Sequence, residues 1–284
     1  MRNLLKDSNF EEGFLIGHID SLVYTGTMLE WKWKTVTPSW KICQWCSHFP
    51  LYENCQIETT AKKKSIFNSQ KRVDRNEDGS VVLSIQTDQE YPEPRKAEDG
   101  WPHLLLEQFF EGIHLSSMNQ LVMDIDFEFV DFKDHLGALR TPLHTFQVSW
   151  YLAVGNRNRA SKGYGDFFWF GLPFIDHPRF DFPQSYRAID GGKEDATNKF
   201  IIAIEPQKFL KEKTKVGNHY LVKFPALEEI KEAFAFAKKQ GFLSTTNFED
   251  LEIISTNFGI EDTGTFDGSL KINHIALWGD EKNE

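Results

Sequence analysis

The chain has 284 residues, 40% hydrophobic and 26% charged, with 25 Phe and 8 Trp, which is enough apolar material for a packed core and far from a disordered composition. A formal charge of −10 and a pI near 5.4 exclude the basic stripe that a phosphate-backbone partner requires, so no nucleic-acid partner is expected. No apolar run is long enough to span a bilayer and MRNLLKDSNF lacks the apolar core of a secretory signal; no membrane partner is expected, and the sequence reads as cytoplasmic as it stands, or as secreted if Met1 replaces a removed signal peptide.

Along the chain, short runs rich in β-branched and aromatic residues alternate with Gly, Pro, Asn and Asp clusters. The early segment carries Trp31, Trp33, Trp40 and Trp45 without a clear buried-strand pattern; in EWKWK, strand alternation puts Trp31 and Trp33 on one side, facing either the core or a ligand. CQWCSH and Cys55 supply zinc-ligand types in Cys43, Cys46, His48 and Cys55, but the spacing lacks a second matched pair, so the expected reading is three reduced cysteines and no metal. Lys62–Lys64 reads as a solvated loop face.

Strands are predicted at 80–86, 103–109, 121–130, 145–154, 167–170, 199–204, 251–256 and 269–278, with 88–100 (DQEYPEPRKAEDG) as a long loop. In 103–109 alternation places His103 and Glu107 on one face with Leu105 and Phe109; a carboxyl in such company either has a raised pKa if buried, which suits general acid work, or pairs with an Arg or Lys as a structural group, and His103 is either a base or a partner of Glu107. LVMDIDFEFV puts Leu121, Met123, Ile125, Phe127 and Phe129 on one side and Asp124, Asp126 and Glu128 on the other. The acid row is either a solvated face offset by neighbouring lysines or the floor of a site, since a carboxylate pair is what a glycosidase needs. TFQVSWYLAV likewise places Gln147, Ser149 and Tyr151 opposite an apolar side. Pairing of these two strands would merge both polar sides into one surface. Trp101 and, in GYGDFFWFGLPFIDHPRF, Trp169 and Asp176 supply the aromatic and hydrogen-bonding types that sugar recognition demands, while D-H-P-R also reads as common turn chemistry. Leu227–Gln240 differs: Leu227, Ile230, Phe234 and Ala237 recur at helical spacing, acids open it, lysines close it, and Gly241 stands where it ends.

The opening NLLKDSNFEEG resembles the first strand, and the closing FDGSLKINHIALWG the last strand, of jelly-roll carbohydrate-binding modules with a galactose-binding-like fold; a related resemblance is to the concanavalin-A-like sandwich of many glycan hydrolases and lyases. The resemblance implies that both ends share one sandwich, so residues 1–284 are expected to form one enlarged domain, a size that β-sandwiches can approach. It also implies a structural calcium held by a first-strand Glu and a last-strand Asp. Glu11 fits the first position, but Asn273 and His274 stand at the second, so no cofactor is expected.

These observations predict an all-β protein, an antiparallel β-sandwich of jelly-roll type with one inserted helix. Its expected ligand is a poly- or oligosaccharide. Glu107, Asp124, Asp126, Glu128 and His103 are the candidate catalytic residues if the sugar is cleaved by a glycoside hydrolase or polysaccharide lyase reaction. Trp31, Trp33, Trp101, Gln147, Tyr151, Trp169 and Asp176 are the candidate sugar contacts. The alternative is a non-catalytic structural or protein-interaction sandwich.

Overall fold

The computed structural model describes residues 1–16, 27–29, 37–191 and 196–282; Trp31 and Trp33 lie outside them. The first strands are β1 (Arg2–Asn3), β2 (Phe14–Ile16), β3 (Thr27–Leu29), β4 (Trp40–Cys43), β5 (Gln56–Thr59), β6 (Lys63–Phe67), β7 (Lys71–Asn76) and β8 (Val81–Gln86). Next come β9 (His103–Phe109), β10 (Met118–Asp134), β11 (Phe146–Asn156), β12 (Phe167–His177), β13 (Tyr186–Ile189), β14 (Phe200–Ala203) and β15 (His219–Pro225). Helix α1 (Leu227–Lys239), β16 (Leu251–Asp262) and β17 (Phe266–Glu281) end the described chain.

Among the described residues these strands form two sheets. The first runs β15-β10-β17-β8-β7-β6-β5, with β1 added against β17, and the second runs β13-β14-β12-β11-β16-β9-β4-β2-β3. All pairs are antiparallel except β12 with β14 and β2 with β4. Among the described residues the protein is a β-sandwich of jelly-roll type carrying one α-helix, and its first and last strands pair through Arg2 with Gly279 and Asn3 with Trp278. One hydrophobic cluster runs between the sheets, from Leu4 to Leu277.

Strands β10 and β11 turn their apolar sides toward each other across this core. The rings of Phe129 and Phe146 stack with centroids 5.6 Å apart and planes 11° apart. The expected merged polar surface therefore does not form: β10 pairs with β15 and β17, whereas β11 pairs with β12 and β16. The connection at 135–145 carries the chain from one sheet to the other, as jelly-roll links do. Asp124, Asp126 and Glu128 consequently face outward on the first sheet, away from Gln147, Ser149 and Tyr151. Their neighbours offset the acid row. Asp124 accepts a hydrogen bond from Trp278 Nε1 at 3.0 Å and pairs with Lys223 at 3.2 Å, while Asp126 meets His219 and accepts from Asn273 at 2.9 Å. Glu128 lies opposite His219 and Lys271 in the two adjoining strands.

Helix α1 follows its sequence signals. Leu227, Ile230, Ala233, Phe234 and Ala237 are buried, with Phe234 against Phe168 of β12. Gly241 adopts φ +91°, the left-handed conformation that ends a helix, and its N–H donates to the Lys238 carbonyl. Among the described residues no helix is long and apolar enough to cross a membrane.

The region from Gln56 to Asn76 departs from expectation. It forms strands β5 to β7, and Lys63 and Lys64 begin β6 instead of lying in a loop. In β7 the inward side carries Lys71, Val73 and Arg75, so two cations sit where apolar residues normally alternate. Each has partners: Arg75 donates to the carbonyls of Phe10 and Asn9, and Lys71 pairs with buried Glu90.

Candidate functional site

A cleft of about 1460 Å³ opens on the outer face of the second sheet. Strand register builds its floor in two rows. One row crosses four strands as His103, Glu261, Gln147 and Asp176; the other crosses as Glu107, Asn257, Tyr151 and Gly171. Directly paired residues point to the same face, so each row presents its side chains together. The second row continues through Ala203 of β14 to Tyr186 of β13.

Gly171 is what lets that row work. A Cβ at this position would stand 2.1 Å from Cε1 of Tyr151. Without one, the Tyr151 ring lies flat across β12 and its hydroxyl meets that of Tyr186. Burial pushes the Tyr151 phenol above its usual range, so at neutral pH it remains a protonated hydrogen-bonding group.

The wall beside β9 is made by the loop 88–100 and the turn 44–48. Glu90, buried in the wall, accepts hydrogen bonds from Ser47 Oγ and the His48 N–H, both at 2.7 Å, and from Lys71 Nζ. Tyr91 donates to the Gly100 carbonyl at 2.8 Å, closing the loop. This frame presents an aromatic group: Trp45 meets the His103 ring edge-on at 5.4 Å, and Trp101 stacks on it, offset, at 6.2 Å. Trp101 Nε1 donates to Glu261 Oε2 at 3.2 Å, and His103 Nε2 lies 3.5 Å from the same oxygen. Glu261 is thereby held on the floor beneath the aromatic wall.

The opposite wall is β13 and the segment after it. Asp190 accepts from the Thr197 N–H at 2.9 Å and its hydroxyl at 2.6 Å, and Trp169 Nε1 donates to the same hydroxyl at 3.2 Å. This chain fixes the Trp169 indole at the far end of the cleft. Both ends carry aromatic rings, with amides, phenols and a carboxylate between them.

Five of the sequence-selected residues line this cleft: His103, Trp101, Gln147, Tyr151 and Trp169. Asp176 shares their face but is held by Arg179, through Nη2 at 2.6 Å and Nε at 3.1 Å, and by Thr145. Glu107 has the expected alternation and lies beneath the surface, 6% exposed, accepting from the Cys43 thiol at 3.0 Å. Burial raises the Glu107 carboxyl above its usual range, and burial with the adjacent Glu107 raises the Cys43 thiol. His103 does not reach Glu107, because four residues of extended strand separate them by about 13 Å; it turns instead to Glu261 and to the Trp45 carbonyl. Among the described residues no group of three or more His, Cys, Asp or Glu side chains is placed to hold a metal ion.

Sequence reasoning missed Glu261, Asn257, Tyr186 and Asp190. The first two had a signal: carrying the predicted strand 251–256 onward through NFGIED puts Asn257, Gly259 and Glu261 on one side, opposite Phe258 and Ile260. Tyr186 and Asp190 had none, since β13 is a short, exposed edge strand.

No protein-family model matches the sequence, and no curated protein matches it. Among solved structures, the chain is similar to the endoglucanase Cel12A from Rhodothermus marinus, at 8% identity over 80% of this chain and 98% of that chain, with a TM-score of 0.41. It is also similar to a family 12 xyloglucanase from Bacillus licheniformis (10% identity, 80% and 97% covered, TM-score 0.42) and to a metagenome-derived glycoside hydrolase family 12 endoglucanase (9%, 86% and 99%, TM-score 0.45).

Proposed function

We propose that the chain binds an oligo- or polysaccharide in this cleft, laid across β9, β16, β11 and β12. The observation that carries the reading is the pairing of indole-bearing walls at both ends with a floor of Glu261, Gln147, Asn257 and Tyr151 between them. Sugar rings offer apolar C–H faces and a rim of hydroxyls, so they need aromatic surface and convergent donors and acceptors. From β9 to β12 is three interstrand steps, about 14 Å, which accommodates several linked sugar rings in preference to one. A glycan array probed with the wild type and with Trp101→Ala and Trp169→Ala tests this. Hits that both substitutions weaken support it, and an empty array overturns it.

A second reading is hydrolysis. Glu261 and Asp176 flank Gln147 on adjacent strands, two interstrand steps or about 10 Å apart at Cα. Inverting glycosidases use two such acids with carboxyl groups roughly 6.5–9.5 Å apart, one protonating the leaving oxygen and the other activating water. Asp176 is engaged by Arg179, which favours binding over cleavage. Prolonged incubation of an array hit with the protein, followed by chromatography, distinguishes the two. New reducing ends that Glu261→Gln abolishes support hydrolysis, and an unchanged ligand rejects it.

A further inference from the structure

The geometry points to Arg95 as a positioning residue that orients Trp101 and, through the indole N–H, the Glu261 carboxylate; its effect on ligand affinity rests on the glycan-binding reading above. Arg95 is 3% exposed and its guanidinium lies over the Trp101 ring, 4.9 Å from the centroid. Nη2 donates to the carbonyls of Asp99 at 2.7 Å and Ala97 at 3.4 Å, and the Arg95 carbonyl accepts from His144 Nε2 at 2.9 Å. The backbone on both sides is thus pinned.

The remaining donors carry the inference. Nε and Nη1 are buried and make no hydrogen bond among the described residues. A buried guanidinium with unpaired donors is costly, and a residue of similar size without them would avoid that cost. Loop closure alone does not require this group, because the Lys96 N–H and the Asp99 N–H already close the turn and Tyr91 ties it to Gly100. What Arg supplies that an aliphatic chain cannot is a planar cation matched to an indole face. Held there, Trp101 directs Nε1 to Glu261, which also lies beside His103. Arg95 does not line the cleft and meets it through the Trp101 ring.

The test separates positioning from structural support. In Arg95→Met the two unpaired donors vanish, so the melting temperature is expected to equal or exceed that of wild type. The near-ultraviolet circular dichroism contributed by Trp101, read as the difference from Trp101→Phe in the same background, is expected to collapse. Affinity for the strongest glycan-array hit is expected to fall about fivefold, the ratio that roughly 1 kcal/mol of cation–π interaction represents. Arg95→Lys, which keeps the charge without the planar fork, is expected to restore only part of both signals and serves as the test should the Met variant not fold. In a Trp101→Phe background, Arg95→Met is expected to cause no further loss of affinity. A lowered melting temperature with an unchanged Trp101 signal and unchanged affinity would overturn the proposal, as would an equal loss without Trp101. If wild type binds no glycan, the function proposed above fails, while the Trp101 signal still decides the role of Arg95.

Discussion

Replacing Lys71 with Met is expected to be among the most damaging single changes to the cleft, although Lys71 lies behind it. Its side chain is 0% exposed and that of Glu90 is 1% exposed, so water screens neither charge. Burial lowers the Lys71 pKa, which Glu90 opposes. Lys71→Met leaves the Glu90 carboxylate buried with, among the described residues, only Ser47 Oγ and the His48 N–H as donors. Breaking a buried pair by removing one partner costs about 3–5 kcal/mol. At roughly 2–4 °C per kcal/mol for domains somewhat smaller than this one, the melting temperature is expected to fall by about 6–20 °C. Because Glu90 ties the 88–100 loop to the 44–48 turn, glycan affinity is expected to fall with it. Lys71→Met/Glu90→Gln retains an acceptor for the Ser47 and His48 donors while removing the orphaned charge, and is expected to regain most of the stability. Differential scanning calorimetry of the two variants checks this. A single variant that melts with wild type, or a double variant no better than the single, would refute the reasoning.

Phe234→Ala, which empties the α1 contact with Phe168, is expected to cost about 3–5 kcal/mol in denaturant unfolding while leaving glycan affinity unchanged, since the helix lines no part of the cleft. Gly171→Ala must displace the Tyr151 ring; it is expected to cost about 1–3 kcal/mol and to weaken glycan binding, both measurable on one preparation by calorimetry. Glu107 has a folded pKa raised above the ordinary value of 4.5, so the folded state holds that proton more tightly than the unfolded chain does. Its contribution is fully present below the unfolded pKa and is lost as pH rises through the folded value. Unfolding curves at several pH values are therefore expected to show Glu107→Gln gaining on wild type as pH rises from 4 toward neutrality; a constant difference would contradict the burial of that carboxyl.

Local patterns carried much of the fold. His103–Phe109 was legible to the residue, because His103, Leu105 and Glu107 alternate with leucines. Helix α1 was legible from its stripe, its terminal charges and Gly241. Strands β6 and β7 were not, because KKSIF and KRVDRN put cations at inward positions, and a sequence reading assigns charge to solvent unless it can see a partner such as Glu90. The cleft was half legible. Trp101, Gln147, Tyr151 and Trp169, selected from strand alternation and residue type, line it. Which strands adjoin was not readable: the pairing of Gln147 with Glu261 joins residues 114 positions apart, and nothing in either segment announces the other. The same blindness placed Asp124 and Asp126 beside Gln147, when a core of phenylalanines separates them.

A glycan held in the cleft on the second sheet is sensitive to the side chains of that cleft and indifferent to those of the opposite sheet. Isothermal titration of an array-selected oligosaccharide into wild type, Trp101→Ala/Trp169→Ala and Asp124→Asn/Asp126→Asn tests it most directly. Each lost indole is expected to weaken binding about tenfold, near the upper end of aromatic contributions, and the pair on the opposite sheet to leave it unaltered. Undiminished binding in the tryptophan variant, or a loss confined to the Asp124 and Asp126 variant, would contradict the account.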